Sequence, residues 1–259
     1  MGRLHDLISS ARLHGRIPAA VIGALLLAWG VHAIHRHLMI ARLLLTDADQ
    51  VLAQDGLSRF ARAQGRPLYG TFCSSCHGVN LTGDRRLGVP DLTDDDWLYG
   101  SGEVSEIERV ILYGIRAGNG KGWNLASMPA YASAVPYGRF TLDPLTPGDI
   151  RDTVEYLRTL ERRPADAAAA QRGEQIFRGR GACFDCHAAD GRGDTAIGAP
   201  NLTDDVWLYG DGSRQSVFES IARGHHGSCP AWTHRLSAWQ ARALAVYVGG
   251  AARSARKPP

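Results

Sequence analysis

Two short stretches of the sequence decide its architecture: Cys73-Ser74-Ser75-Cys76-His77 and Cys183-Phe184-Asp185-Cys186-His187. They are 110 positions apart, and the same offset relates Pro90–Gly102, PDLTDDDWLYGSG, to Pro200–Gly212, PNLTDDVWLYGDG. Over the 30 positions from Cys73 to Gly102, 16 residues are identical in the second copy. Similarity at one fixed offset indicates an internal duplication. The sequence therefore predicts two copies of one module.

The composition is that of a folded protein. Hydrophobic residues make up 44% of the 259 positions and charged residues 21%, which excludes a disordered or collagen-like chain. The net charge is only +3, from 29 basic and 26 acidic residues, so we expect no nucleic-acid partner. Five cysteines in a chain of this length are too few for a disulfide framework.

The predicted secondary structure of each module is helical. A helical pattern precedes each cysteine motif, a second helix follows in the middle of each copy, and a third closes it after the capping signals at Thr146 and Ser237. No stretch alternates as a strand would, so the predicted fold is all-α. We place the modules at 55–161 and 171–250, with a linker at 162–170 and a tail at 251–259.

The N-terminal region contains a candidate membrane anchor at 17–45. Residues 17–34 carry no Asp, Glu, Lys or Arg, and about 20 apolar residues suffice to span a bilayer. Arg3, Arg12 and Arg16 precede this segment, which predicts a cytoplasmic N-terminus at 1–16 and an exported remainder. The alternative is a signal peptide cleaved near Val31-His32-Ala33. Either interpretation places the modules on the periplasmic side of a bacterial inner membrane.

The Cys-x-x-Cys-His motif predicts covalent attachment of c-type haem. Two cysteines on one helical turn can form thioethers with the two vinyl groups of a porphyrin, and the adjacent histidine supplies an axial nitrogen. The sequence thus predicts two haem c groups, bound by Cys73, Cys76, Cys183 and Cys186, with His77 and His187 as iron ligands. A four-thiolate zinc site and a thioredoxin-like redox pair are the alternatives.

Residues 55–250 resemble the class I cytochrome c family. In that family, a proline carbonyl beyond the motif accepts a hydrogen bond from the axial imidazole, and Pro90 and Pro200 stand at the matching positions. The stretch from Ser127 to Tyr131, SMPAY, resembles the family's Met-Pro loop, which implies that Met128 is the sixth ligand of the first haem.

The second module departs from this pattern. Cys229 occupies the position of the ligand methionine, and it is the one cysteine outside the two motifs. A thiolate at this position would lower the potential of the iron. We expect Cys229, His225 or His226 to be the sixth ligand of the second haem, or the iron to be open and able to bind small gases.

The anchor, the tandem modules and the Leu-Thr-Asp-x-x-Trp-Leu-Tyr-Gly signature together resemble subunit III of cbb3-type cytochrome c oxidases, the FixP/CcoP family. The resemblance implies electron transfer towards a haem–copper subunit, or towards another redox partner. Two features depart from the family: no Asn-Pro-Leu-Pro-x-Trp-Trp element precedes the apolar segment, and Cys229 replaces a methionine.

Two other functions are compatible with the motifs. A haem with His/Cys ligation resembles the site of thiosulfate dehydrogenases, so the chain could be a diheme enzyme of that kind or a peroxidase. A haem with an open position would suit a gas sensor. The carrier interpretation needs no acid, base or nucleophile, and it is the function that we expect.

Overall fold

A computed structural model describes residues 19–255. The predicted cytoplasmic segment 1–16, with its three arginines, and the end of the predicted tail lie outside the described residues. The chain divides into two units, one up to Arg42 and one from Leu43 onward, and each is described by itself.

The first unit consists of helix α1, Ala19–Leu45, whose last residues continue into the second unit. Its 27 residues span about 40 Å at 1.5 Å per residue, enough for a bilayer. Large apolar side chains point outward along it, with Leu27 and Trp29 each 71% exposed. The helix is long and apolar enough to cross a membrane, although Leu43 near its end is buried, and the anchor bounds 17–45 stay a prediction.

The second unit is built mostly of helices. A short 3-10 helix, Ala48–Ala53, precedes the helices α2 Asp55–Phe72, α3 Ser74–His77, α4 Val104–Tyr113, α5 Pro147–Leu160, α6 Ala167–Arg178, α7 Phe184–His187, α8 Arg214–Arg223 and α9 Ala238–Ala255. One antiparallel hairpin lies between α4 and α5, with β1 at Val135–Tyr137 and β2 at Phe140–Leu142. Strands of three residues are too short to show alternation, so the all-α prediction missed them.

The helices that close the two repeats are exchanged. The closing helix of the second repeat, α9, packs on α2 of the first, where the rings of Tyr69 and Tyr247 lie 5.6 Å apart. The closing helix of the first repeat, α5, packs on α6 of the second, where Tyr156 and Phe177 lie 5.3 Å apart. Each sequence repeat, predicted at 55–161 and 171–250, thus contributes its last helix to the other.

The connection between α5 and α6 explains the exchange. Only six residues separate Leu160 from Ala167, and helices joined by so short a connection pack as an antiparallel pair. Because of the duplication, α2 and α6 present matching faces, so α6 can replace α2 of the same repeat as the partner of α5. Once α5 is held by α6, α9 is the closing helix left to cover α2.

Two glycines allow the exchanged helices to approach closely. A Cβ at Gly65 of α2 would clash with the carbonyl oxygen of Ala243 and lie 2.7 Å from the Cβ of Tyr247. A Cβ at Gly173 of α6 would clash in the same way with the carbonyl oxygen of Asp152 in α5. The backbone of each opening helix therefore touches the helix from the other repeat.

The predicted caps are present, and one predicted helix end is wrong. Thr146 and Asp149 form a capping box at the start of α5, and the backbone N–H of Ser237 donates to Oε1 of Gln240 at 2.9 Å. The pair Gly249-Gly250 is expected to end the last helix of the second module, but α9 continues to Ala255. Gly249 is tolerated because it packs against Ile107 and Val104 of α4.

The glycine contacts predict opposite effects for two substitutions in the same helix. Gly65→Ala should lower the free energy of unfolding by about 1–3 kcal/mol, because the new methyl group overpacks the contact with α9. Gly70→Ala is the matched control, since a Cβ there meets nothing within 4 Å and removing a helical glycine stabilises by roughly 0.5–1 kcal/mol. Denaturant unfolding of the full chain, followed by circular dichroism, measures both. Equal effects would contradict the packing of α2 on α9.

Candidate haem sites

Each cysteine motif folds into a single helical turn. The backbone N–H of His77 donates to the carbonyl of Cys73 at 3.0 Å, and that of His187 to the carbonyl of Cys183 at 3.0 Å. None of the five cysteines, all of which lie within the described residues, is paired in a disulfide. The turn therefore presents two thiols and an imidazole together, which is the arrangement that thioether attachment and axial ligation require.

The two histidines are oriented by proline carbonyls. Nδ1 of His77 lies 3.3 Å from the carbonyl oxygen of Pro90, and Nδ1 of His187 lies 3.0 Å from that of Pro200. A carbonyl oxygen can only accept, so Nδ1 carries the proton and Nε2 keeps its lone pair. Burial lowers the pKa of both histidines, which favours the neutral imidazole that binds a metal.

A glycine in each repeat makes room for the proline carbonyl. Gly83 and Gly193 have φ of +65° and +78°, where a side chain is strained. A Cβ at Gly193 would lie 2.6 Å from the carbonyl oxygen of Pro200, and one at Gly83 would clash with that of Pro90. The glycine at this position of each repeat thus supports the histidine orientation.

An apolar cavity surrounds the second motif, and Met128 lines it. The lining includes Cys183, Cys186, His187 and Met128. The loop that carries Met128 is anchored there, because the backbone N–H of Tyr131 donates to the carbonyl of Ile221 at 3.0 Å. Burial, and then the neighbouring Cys183 and Cys186, raise the pKa of the Tyr131 phenol.

Cys229 lies beside the first motif. Burial raises the pKa of Cys73 to about 12, and the nearby thiols of Cys229 and Cys76 contribute. Burial likewise raises the pKa of Cys229 to about 11, with a contribution from Cys76. Three residues further along, the ring of Trp232 packs on Phe72 at 5.2 Å. The loop of Cys229 thus belongs to the site formed by Cys73 and Cys76.

The structure differs from the predicted pairing of motifs and sixth ligands. The sequence order paired Met128 with His77 and Cys229 with His187, whereas the structure places Met128 with His187 and Cys229 with the first motif. The cause is the exchange of helices, since the Met128 loop leads into α5 and the Cys229 loop leads into α9. Iron binding by either sulfur stays a prediction.

The two histidines offered as alternatives differ in their surroundings. His225 lines the cavity with Met128 and exchanges two backbone hydrogen bonds with it, at 2.9 and 3.2 Å. Its ring stacks on Tyr209, with the centroids 3.5 Å apart. His226 is exposed. Of the two, His225 is the one at a candidate haem site, and that site is the one formed by His187.

The residues present fit a haem. Within residues 19–255, three buried nitrogens have no hydrogen-bond partner: Nε1 of Trp97, Nε1 of Trp123 and Nε2 of His225. Trp207, at the position equivalent to Trp97, donates to Oε1 of Glu161 at 2.9 Å. Buried polar atoms are almost always paired, so the orphaned ones indicate a missing group. A porphyrin would fill the apolar cavity, which the unpaired His225 also lines.

Comparison with known proteins identifies the family. Residues 62–161 match the family model for cytochrome c, and residues 168–248 match that for cytochrome c oxidase, cbb3-type, subunit III. The FixP subunit of the cbb3-type oxidase of Sinorhizobium medicae is 34% identical over 209 residues, which cover 81% of this chain and 67% of the relative. The CcoP subunit of Cereibacter sphaeroides is 37% identical, with the same shares covered. The FixP subunit of Azorhizobium caulinodans is also 37% identical, over 74% of this chain and 60% of its own length.

The chain belongs to the FixP/CcoP family. The prediction of two covalently bound haem c groups is thereby confirmed, as is that of a membrane-anchored diheme cytochrome c of the electron-transfer type. Together with the apolar helix α1, membership supports a membrane protein. The chain spans about two thirds or less of the length of these relatives.

Because the Met128 loop lies at the second motif, we expect a substitution of Met128 to change the spectrum of the haem attached there. In a variant with Cys73→Ser and Cys76→Ser, the remaining haem is attached at Cys183 and Cys186. Adding Met128→Leu to that variant should abolish the sulfur-to-iron charge-transfer band, because the thioether is lost from this site. Adding Cys229→Ser should leave the spectrum unchanged. Near-infrared absorption and electron paramagnetic resonance (EPR) measure both, and the reverse result would contradict the exchange.

Proposed function

We propose that this chain is an electron-transfer subunit of a cbb3-type terminal oxidase, with both haem sites on the periplasmic side of the membrane. It takes electrons from a soluble or membrane-bound donor and passes them towards a haem–copper subunit. Support comes from the relatives, which are named as subunits of cbb3-type oxidases, and from the positively charged residues that precede the predicted anchor. The observation that carries the proposal is the interlocking of two haem sites in one folded unit.

The proposed ligands are His77 with Cys229 and His187 with Met128. Haem iron, when bound, accepts and releases one electron. The protein's contribution is to set the two potentials, since a neutral thioether favours the reduced iron whereas a thiolate donates charge and favours the oxidised iron. The site with Met128 would therefore have the higher potential, and the haem held at the second motif would receive electrons from the haem held at the first.

Backbone contacts across the repeats hold the two sites at a fixed separation. The N–H of Gly100 donates to the carbonyl of Thr195, and the N–H of Gly210 donates to that of Arg85, each at 3.1 Å. These four residues lie in equivalent loops of the two repeats. A fixed separation suits tunnelling between two haems, because the rate depends steeply on distance.

Assembly with an oxidase is the direct test. An oxidase core purified without this subunit should regain oxygen consumption from a reduced c-type cytochrome when the full chain is added in detergent. A variant with all four motif cysteines changed to serine should not restore it. Thiosulfate oxidation or peroxide reduction by the chain alone, at rates comparable to the oxidase, would contradict the proposal.

Replacement of the odd cysteine tests the ligand set. Cys229→Met should raise the potential of one haem, so that its ratio of reduced to oxidised form at a fixed ambient potential increases at least tenfold, or about 59 mV for a one-electron couple. Ser228, the exposed residue next to Cys229, provides the control, because Ser228→Ala should change the potential of neither haem. Optical redox titration with EPR measures both. Two unchanged haems would show that Cys229 is not a ligand.

A further inference from the structure

One arginine contacts the candidate ligand loops of both haem sites. Nη1 of Arg116 donates to the carbonyl oxygen of Ala126 at 2.8 Å, and its Nε donates to the carbonyl oxygen of Gly227. Ala126 stands two residues before Met128, and Gly227 stands two residues before Cys229. The same guanidinium therefore holds equivalent points of two loops that serve different sites.

The backbone next to Arg116 strengthens this connection. Ile115 and Cys229 exchange two hydrogen bonds, at 2.9 and 3.0 Å, and the N–H of Arg116 donates to the carbonyl of Trp123 at 2.9 Å. Arg116 itself has φ of +49°, which is uncommon for a residue with a side chain. The contacts of its neighbours hold it in this conformation and direct its side chain between the loops.

A tyrosine from the repeated signature orients the guanidinium. Nη1 of Arg116 also donates to the hydroxyl of Tyr99 at 2.7 Å. The ring of Tyr99 is itself fixed, because it packs so closely on Gly198 that a Cβ there would clash with it. Arg116 also lies close enough to Tyr209 for its charge to oppose the rise in pKa that burial gives that phenol.

Although the module is duplicated, only the first repeat has an arginine at this position. At the offset of 110, the position of Arg116 corresponds to His226, which is exposed. One guanidinium therefore serves both loops. Its planar fork of donors can bond several oxygens in fixed directions, which a lysine cannot reproduce.

We infer that Arg116 is a shared positioning residue that holds the two axial-ligand loops against each other and so sets both haem sites. This inference rests on the proposed ligands, Met128 for one site and Cys229 for the other. Loss of the guanidinium would release both loops at once. Replacing a residue that merely added stability would lower the unfolding temperature and leave the iron ligation of the folded protein unchanged.

The test compares Arg116→Lys and Arg116→Gln with Arg178→Gln in the full chain. Arg178 is the control, because its guanidinium is exposed and pairs with Glu174 of the same helix, α6. Both Arg116 variants should change the reduced-to-oxidised ratio of each haem at least threefold at a fixed ambient potential, and should broaden both EPR signals. The control should change neither haem.

The lysine variant separates the effect of the hydrogen bonds of the guanidinium from the effect of its positive charge. If Arg116→Lys behaves as the wild type while Arg116→Gln shifts the potentials, the residue acts by charge alone and the inference is overturned. A change confined to one haem overturns it as well. If the Arg116 variants fail to retain two haems, Tyr99→Phe is the deciding variant, because it removes one hydrogen-bond acceptor of Arg116. A smaller shift in potential at both haems supports the inference. A shift at one haem or at neither refutes it.

The result is separable from the proposed function. If Met128→Leu and Cys229→Met leave the wild-type spectra unchanged, the ligand set fails, and the inference fails with it. If those two variants act as expected and the Arg116 variants do not, only the shared positioning role is refuted.

Discussion

The packing of each closing helix on the opening helix of the other repeat is the constraint on which the rest of the structure depends. It requires direct backbone contact, which Gly65 provides for α9 and Gly173 for α5. The loops that precede α5 and α9 follow their helices, so the exchange also decides which sulfur reaches which motif. With the proposed ligands Met128 and Cys229, the ligand set of each haem would therefore be a consequence of helix packing.

The exchange makes the two haem sites interdependent. In two separate modules, a change at one site would have no mechanical route to the other. Here the loop of Met128 pairs with His225, and the loop of Cys229 pairs with Ile115, so each site is completed by the other repeat. Such an arrangement fixes the separation of the sites without a linker, and it places residues such as Arg116 where both loops can be contacted.

Local features could be predicted from the sequence, whereas the pairing of repeats could not. The cysteine motifs, the proline carbonyls and the cap at Thr146 depend on residues close together in the chain, and their geometry agrees with expectation. The pairing of α2 with α9 depends on a choice between two nearly equivalent partners. A duplicated sequence contains the same apolar face twice, so periodicity cannot tell them apart. The short connection between Leu160 and Ala167 was the available signal for the exchange.

The duplication explains the fold, but function depends on the positions where the copies differ. Identical sites would have equal potentials and no preferred direction for an electron. Met128 and Cys229, as the proposed sixth ligands, would break that equality at the iron, and Arg116 and His226 differ at the equivalent position between the loops. Because the common scaffold holds both sites rigidly, a change of one donor atom alters the relative potentials without altering the separation. With these proposed ligands, a difference at a single ligand position between two copies of a module would be sufficient to give electron flow a direction.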